Sequence, residues 1–210
     1  MWILLVLLVA DAVFLQLHRL WLQDVLSDRF SLANEASAGE LYQNGKELIL
    51  AGIAVALAIT RPDRLYTSWA ILFTYLFLDD AFEIHEQVGA VIGHRLASGP
   101  VFGLSPEHFG ELLYAGVIGA VLVTAVVAAW PASTRAARRF SLLLAGAIAA
   151  LAAFGVVADT IQVLVDPNGA WHYRLGILDD GGELITITVM LWIVLRHLSP
   201  RVSENAHNGT

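Results

Sequence analysis

Apolar runs close to the length of a bilayer-spanning helix dominate this sequence, and its prolines and arginines collect in the short stretches between them. An α-helix rises 1.5 Å per residue, so about 20 apolar residues cross a hydrocarbon core about 30 Å thick. Hydrophobic residues make up 57% of the chain and mean hydropathy is +0.66, which places it among multi-pass membrane proteins rather than soluble domains. The expected fold class is all-α, a polytopic membrane helix bundle of about six transmembrane helices. Residues 1–200 are expected to form that single bundle, and residues 201–210 a polar, disordered tail.

Six helices are read along the chain. The first runs from Trp2 to about Trp21 and is expected to stay as an anchor, because it lacks the basic flank and small-residue cleavage site of a signal peptide. The second starts at Ser37-Ala38-Gly39-Glu40, which has the capping-box form, and ends at Thr60 before Arg61-Pro62. The third runs from Leu65 to about Val91, the fourth from Pro106 to Trp130, the fifth from Ala137 to Val165 and the sixth from Leu178 to Leu198. Asp166-Pro167-Asn168-Gly169 is a turn signal between the last two.

Several function classes drop out at once. The chain has no cysteine, which excludes disulfides, thiolate metal sites and cysteine nucleophiles. It carries no basic patch suited to nucleic acid, no Gly-rich phosphate loop and no Gly-x-Ser-x-Gly elbow. The partner the composition implies is the lipid bilayer.

Within this apolar background one stretch stands out. Leu65 to Leu78 is a run of 14 residues without charge, and Asp79-Asp80-Ala81-Phe82-Glu83-Ile84-His85-Glu86 follows directly. The uncharged run covers only about 21 Å, so the third helix is expected to carry its first acids into the membrane. Ionisable groups at that depth are costly and mark function. In a continuous helix Asp79, Glu83 and Glu86 share one stripe, Asp80 sits on its rim, and His85 lies well off it. His85 becomes a ligand only if the helix unwinds there. The sixth helix repeats the spacing in Asp179-Asp180-Gly181-Gly182-Glu183.

Arginines orient the bundle. Arg61, Arg64, Arg135, Arg138, Arg139, Arg196 and Arg201 fall after the second, fourth and sixth helices, so these regions and both termini are expected to be cytoplasmic. All six helices then offer a polar group to one layer near the outer face. His18 and Glu47 come from the first two, Asp79 to Glu86 from the third, and His108 and Glu111 from the fourth. Asp159 and Gln162 come from the fifth and Asp179, Asp180 and Glu183 from the sixth. Carboxylates and a histidine converging from several helices resemble the way bundle-core metal sites are built.

Plainer readings stand beside these. Asp179, Asp180 and Glu183 suit a helix N-terminus, where the dipole favours acids, whereas the acids of the third helix sit at an unfavourable C-terminal end. His108 and Glu111 read as capping and interfacial residues, and Asp159 as a water boundary. His94 and His172 read as loop residues. Asp11, near the middle of the first helix and on one face with His18, calls for an internal partner, with a proton relay as the alternative. Trp21, Trp69 and Trp130 read as interfacial belt residues.

Leu78-Asp79-Asp80 followed by Ile84-His85-Glu86 resembles the Asp-Glu/Asp-x-x-x-Ile-His-Glu motif of a diverse group of uncharacterised bacterial multi-pass membrane proteins. The resemblance extends to an acidic pair followed by Glu at the start of the last helix, matching Asp179, Asp180 and Glu183, and to an acid after the first helix, matching Glu35. It implies the architecture and these candidate residues, with no activity attached to them; the expected location is a bacterial plasma membrane. The chain departs from the pattern in having Asp at Asp80, Asp179 and Asp180 where Glu is usual.

Three functional readings follow from the residues. In the first, a membrane-embedded metal-dependent enzyme holds a divalent cation with Asp79, Asp80, Glu83, His85, Glu86, Asp179, Asp180 and Glu183, and more weakly with Glu111, His108 and Asp159. Carboxylate-rich ligation favours iron, manganese, magnesium or calcium, and no catalytic residue is singled out. In the second, a cation- or proton-coupled transporter uses the same acids, with Asp11 and His18 as the relay. In the third, a non-enzymatic assembly protein pairs its acids with Arg95, Arg174 or Lys46.

Overall fold

The computed structural model describes residues 2–21, 23, 26–32, 37–165 and 170–198. Glu35, the turn at 166–169 and the tail at 201–210 lie outside them. The described chain folds into helices α1 (Trp2–Trp21), α2 (Ala38–Thr60), α3 (Arg64–Ala81), α4 (Ile84–Leu96), α5 (Pro106–Ala129), α6 (Arg135–Ala152), α7 (Asp159–Leu164) and α8 (Ala170–Leu198). A π-helical stretch, Ala153–Ala158, joins α6 and α7 into one rod. Among the described residues there is no strand, only an isolated bridge between Val101 and Leu104.

Local chemistry sets most helix starts. Ser37 Oγ accepts from Glu40 N at 3.0 Å, Asp63 Oδ1 from Leu65 N at 3.0 Å, Ser105 Oγ from His108 N at 3.3 Å and Thr134 Oγ1 from Ala137 N at 3.2 Å. Each satisfies a backbone N–H that has no partner within its helix. Only half of the expected capping box forms, since the Glu40 carboxylate accepts from Asn44 Nδ2 instead.

Three helical rods are long and apolar enough to cross a membrane: Trp2–Trp21, Pro106–Ala132 and Arg135–Leu164. They mark the chain as a membrane protein. The best-packed part of the bundle lies between α2, α3, α6 and α8, where Leu50, Leu57, Leu65, Phe73, Leu144 and Val194 are almost fully buried. Helix α1 lies against α8, and α4 and α5 form a separate closely packed pair. That pair is held by small residues: a Cβ at Gly110 would fall on Gly89 O, and one at Gly93 on Pro106 O. Close backbone approach of this kind is how helices gain packing energy where lipid is as apolar as the side chains.

Three expectations are corrected. The third helix does not run unbroken to Val91. It ends at Ala81, Phe82 and Glu83 form a turn with Glu83 in the left-handed region at φ 51°, and α4 restarts at Ile84. The break moves Glu86 from an unfavourable helix C-terminus into the first turn of a new helix, where the dipole favours it. The last helix does not begin near Leu178 but at Ala170, so Asp179, Asp180 and Glu183 lie well inside it and beyond the reach of its N-terminal dipole. Gly182 lies at a packing surface: a Cβ there would meet the Phe154 ring. Finally, Trp69 is no belt residue. It is 3% exposed and donates to Ser141 Oγ at 2.8 Å, because that face of α3 turns to α6.

Candidate functional site

The α3–α4 break opens one end of a cavity of about 670 Å³ between α2, α3, α4, α5, the α6–α7 rod and α8. Its polar end is lined by Glu47, Asp79, Asp80, Glu86, Glu111, Asp159, Asp179 and Glu183, with His85, His108 and Gln43. Among the described residues no lysine or arginine lines it. The remainder is apolar and runs between α3, α5 and α6. An apolar cavity with convergent polar groups at one end is the usual form of a ligand site.

Each side of the acidic end has its own arrangement. On the α3–α4–α5 side, His85 Nδ1 lies 3.4 Å from Asp79 Oδ2, and Glu86 Oε1 is 4.0 Å from His85 Nε2. Tyr114 donates to Asp79 Oδ1 at 3.5 Å, and its hydroxyl meets that of Tyr75 at 2.7 Å. An imidazole oriented by a carboxylate at the edge of a cavity has the form of a proton-transfer group. On the α2–α3–α8 side, Glu47 is hydrogen-bonded to Asp80 and interacts with Glu183, and Gln43 Nε2 donates to Glu183 Oε2 at 3.5 Å. Glu47 is only 8% exposed, and its Oε2 has no hydrogen-bond partner. A buried carboxylate oxygen left in that condition is costly unless a cation or a proton meets it.

The residues singled out in the sequence are thus sorted by the fold. Asp79, Asp80, His85, Glu86, Asp179 and Glu183 come to one cavity, as do Glu111, His108 and Asp159. Glu83 does not line it, because the turn that brings His85 toward Asp79 carries Glu83 out of the stripe. Asp180 does not line it either and turns to His18, whose Nε2 is 2.8 Å from Asp180 Oδ2 but not in hydrogen-bonding alignment. His18 Nδ1 accepts from Leu32 N at 3.0 Å, which docks the α1–α2 connection.

Asp11 has the internal partner that its position requires. Lys46 Nζ lies 2.9 Å from Asp11 Oδ1 and also donates to Leu184 O and Thr188 Oγ1, tying α1, α2 and α8 together. Tyr42 donates to the same Asp11 oxygen at 2.9 Å and stacks on Phe14. Lys46 is therefore committed inside the bundle. Arg174 lies over the Trp171 ring. His94 and His172 are helical rather than loop residues, the first 2.7 Å from Glu107 and the second beside Gln162 O.

Sequence reasoning missed Tyr75 and Tyr114, whose hydroxyls meet only once α3 and α5 are packed together. It also missed Gly155. A Cβ there would fall on Glu183 Oε1, so only glycine lets the Glu183 carboxylate lie against the rod. The π-helical stretch around it is a feature found frequently at functional sites. Among the described residues no three His, Asp or Glu side chains already converge as a metal-holding group. Glu47 interacts with both Asp80 and Glu183 across α2, α3 and α8.

A family model described as a domain of unknown function, DUF8692, matches residues 1–198. Comparison with curated proteins and with solved structures finds no match.

Proposed function

Because the chain belongs to the DUF8692 family, whose function is unknown, we propose a function from the cavity itself: an integral membrane protein that binds a divalent cation at the acidic end and uses it in a metal-dependent reaction. The observation that carries this reading is the buried, unpartnered Glu47 Oε2 facing Asp80 and Glu183, in a cavity lined by no cationic side chain of the described residues. Glu47, Asp80 and Glu183 would turn toward one another to hold the ion. Oxygen ligation of this kind suits magnesium, manganese, calcium or iron. Bound there, the ion would polarise a substrate oxygen or lower the pKa of water. His85, held by Asp79, would accept or return the proton.

Six spans, with α2, α3 and α8 completing the three most apolar rods, belong to the same proposal. So does an orientation with both termini in the cytoplasm of a bacterium and the cavity toward the outer face, supported by the arginines of the α2–α3 and α5–α6 connections. The transport reading gains less from the geometry, because Asp11 is engaged by Lys46 and Tyr42 rather than set on an open path.

Elemental analysis of the detergent-purified protein tests the proposal. Near-stoichiometric divalent metal is expected, lost in Glu47→Gln and Glu183→Gln while helical content is unchanged. Metal-free protein whose thermal stability is indifferent to both chelator and added divalent cations would overturn it.

A further inference from the structure

The apolar limb of the cavity is not needed to hold an ion. It is lined by Leu76, Ile118, Gly119, Leu122, Ile148 and Leu151, and it continues directly from the acidic end. Along α5 the lining runs from His108 to Val123, about 22 Å by the helical rise, which exceeds the roughly 15 Å depth of one leaflet's hydrocarbon. Helix α5 packs chiefly on α4 and α3, whereas α6 packs on α8, so the limb lies between two helices that leave each other largely uncovered. Small residues widen it: a Cβ at Gly119 would have no heavy atom within 4 Å.

From this continuity we infer that the cavity takes a membrane lipid, its hydrocarbon chain in the limb between α5 and α6 and an amine-bearing headgroup at the acidic end. The chain is argued from depth and polarity, since lipid tails are the apolar chains present at that level of a bilayer. Charge selects the headgroup. Eight carboxylates line the acidic end with no lysine or arginine of the described residues, so a purely anionic group is disfavoured there and an ammonium is drawn in. Glu47, buried and lacking a partner at Oε2, adds the demand for positive charge. The hydroxyls of Tyr75 and Tyr114 meet near Asp79 and supply a surface that is apolar on its rings and polar at its edge. This assignment rests on reading the acidic end as a cation site, and it names the substrate class for that site.

The test uses the full chain in nanodiscs containing phosphatidylethanolamine with a diazirine near the end of one acyl chain. Photolabelling is expected at Ile118, Leu122 and Ile148, competed by unlabelled phosphatidylethanolamine but not by phosphatidylglycerol with the same chains. Gly119→Leu fills open space in the limb and should abolish this labelling with metal content unchanged. Gly116→Leu, whose position does not line the cavity, should leave it intact. Labelling spread evenly over Val117 and Val121, equal competition by both lipids, or crosslinks that join α5 to a second copy of the chain would each overturn the inference. Absence of metal with selective labelling retained would overturn the metal reading alone.

Discussion

The Glu183 carboxylate occupies the space that a side chain at Gly155 would need: a Cβ there would fall on Glu183 Oε1 and lie 3.0 Å from Glu183 Cδ. One residue belongs to the π-helical stretch of the α6–α7 rod and the other to α8, so the width of the acidic end depends on their contact.

Gly155→Ala should therefore displace Glu183 and, because the atom met is the end of a flexible side chain, cost less than the about 1–3 kcal/mol of a methyl added to rigid packed structure. It should also lower divalent-metal content. Glu183→Asp withdraws the carboxylate, and the double variant should recover part of the stability lost in Gly155→Ala. A double-mutant cycle by thermal unfolding in detergent reads the coupling, and simple additivity would show that the two residues do not press on each other.

The Asp11–Lys46 pair sets a second expectation. Both residues are nearly inaccessible, at 2% and 3% exposure, and each neutralises the other. Lys46→Met leaves a buried carboxylate uncompensated and should cost about 3–5 kcal/mol, whereas Asp11→Leu combined with Lys46→Met should recover most of that loss. Denaturation in mixed micelles distinguishes the two. If Lys46→Met alone is near neutral, the pair does not hold α1 to α2 and α8.

At the opposite end of the bundle, Asp63 offers a pH test. Burial pushes its carboxyl up, but hydrogen bonds from Ser133, from the backbone of Thr134 and Leu65 and from the Thr134 hydroxyl together hold it below its ordinary value. The folded pKa is depressed, so the stabilisation is fully present above the unfolded value of about 3.9 and is lost as pH falls through the folded value. Asp63→Asn should lose stability at pH 7 but show a smaller further loss between pH 5 and pH 3 than the parent chain. Parallel losses in the two proteins would mean that other carboxylates carry the acid sensitivity.

Much of this architecture is legible in the residues, and the exceptions have physical causes. The first helix is bounded at Trp2 and Trp21 as its apolar run suggests, and Ser37 caps α2 as its type and spacing suggest. Both are local effects, set by neighbours in sequence. The break after Ala81 is not legible, because counting along a helix assumes the helix continues. Its gains come from the dipole of α4 and from the Asp79–His85 approach across the turn. Gly155, likewise, is explained only by a residue 28 positions away, Glu183. Convergence of acids from several helices was readable because membrane helices turn ionisable groups inward. Which of them meet depends on helix starts and breaks that hydropathy does not show.

The α3–α4 break gives the sharpest separation between a continuous helix and the observed turn. Glu83 adopts φ 51°, a left-handed conformation that costs a side-chain-bearing residue about 1–2 kcal/mol and glycine much less. In an unbroken helix Glu83 would sit at the centre of the carboxylate stripe, and Glu83→Gly would both weaken the helix and remove a central ligand. In the folded chain Glu83 lies outside the cavity lining, and glycine relieves the strained backbone. Glu83→Gly should then leave divalent-metal content unchanged. His85→Gln, by contrast, should leave the fold and the divalent-metal content intact and shift the pH dependence of activity, since the group beside Asp79 at 3.4 Å is gone while the lining carboxylates remain. Loss of metal in Glu83→Gly would restore the continuous stripe. Retention there, with loss in Glu47→Gln, places the cation against α2 and α8 instead.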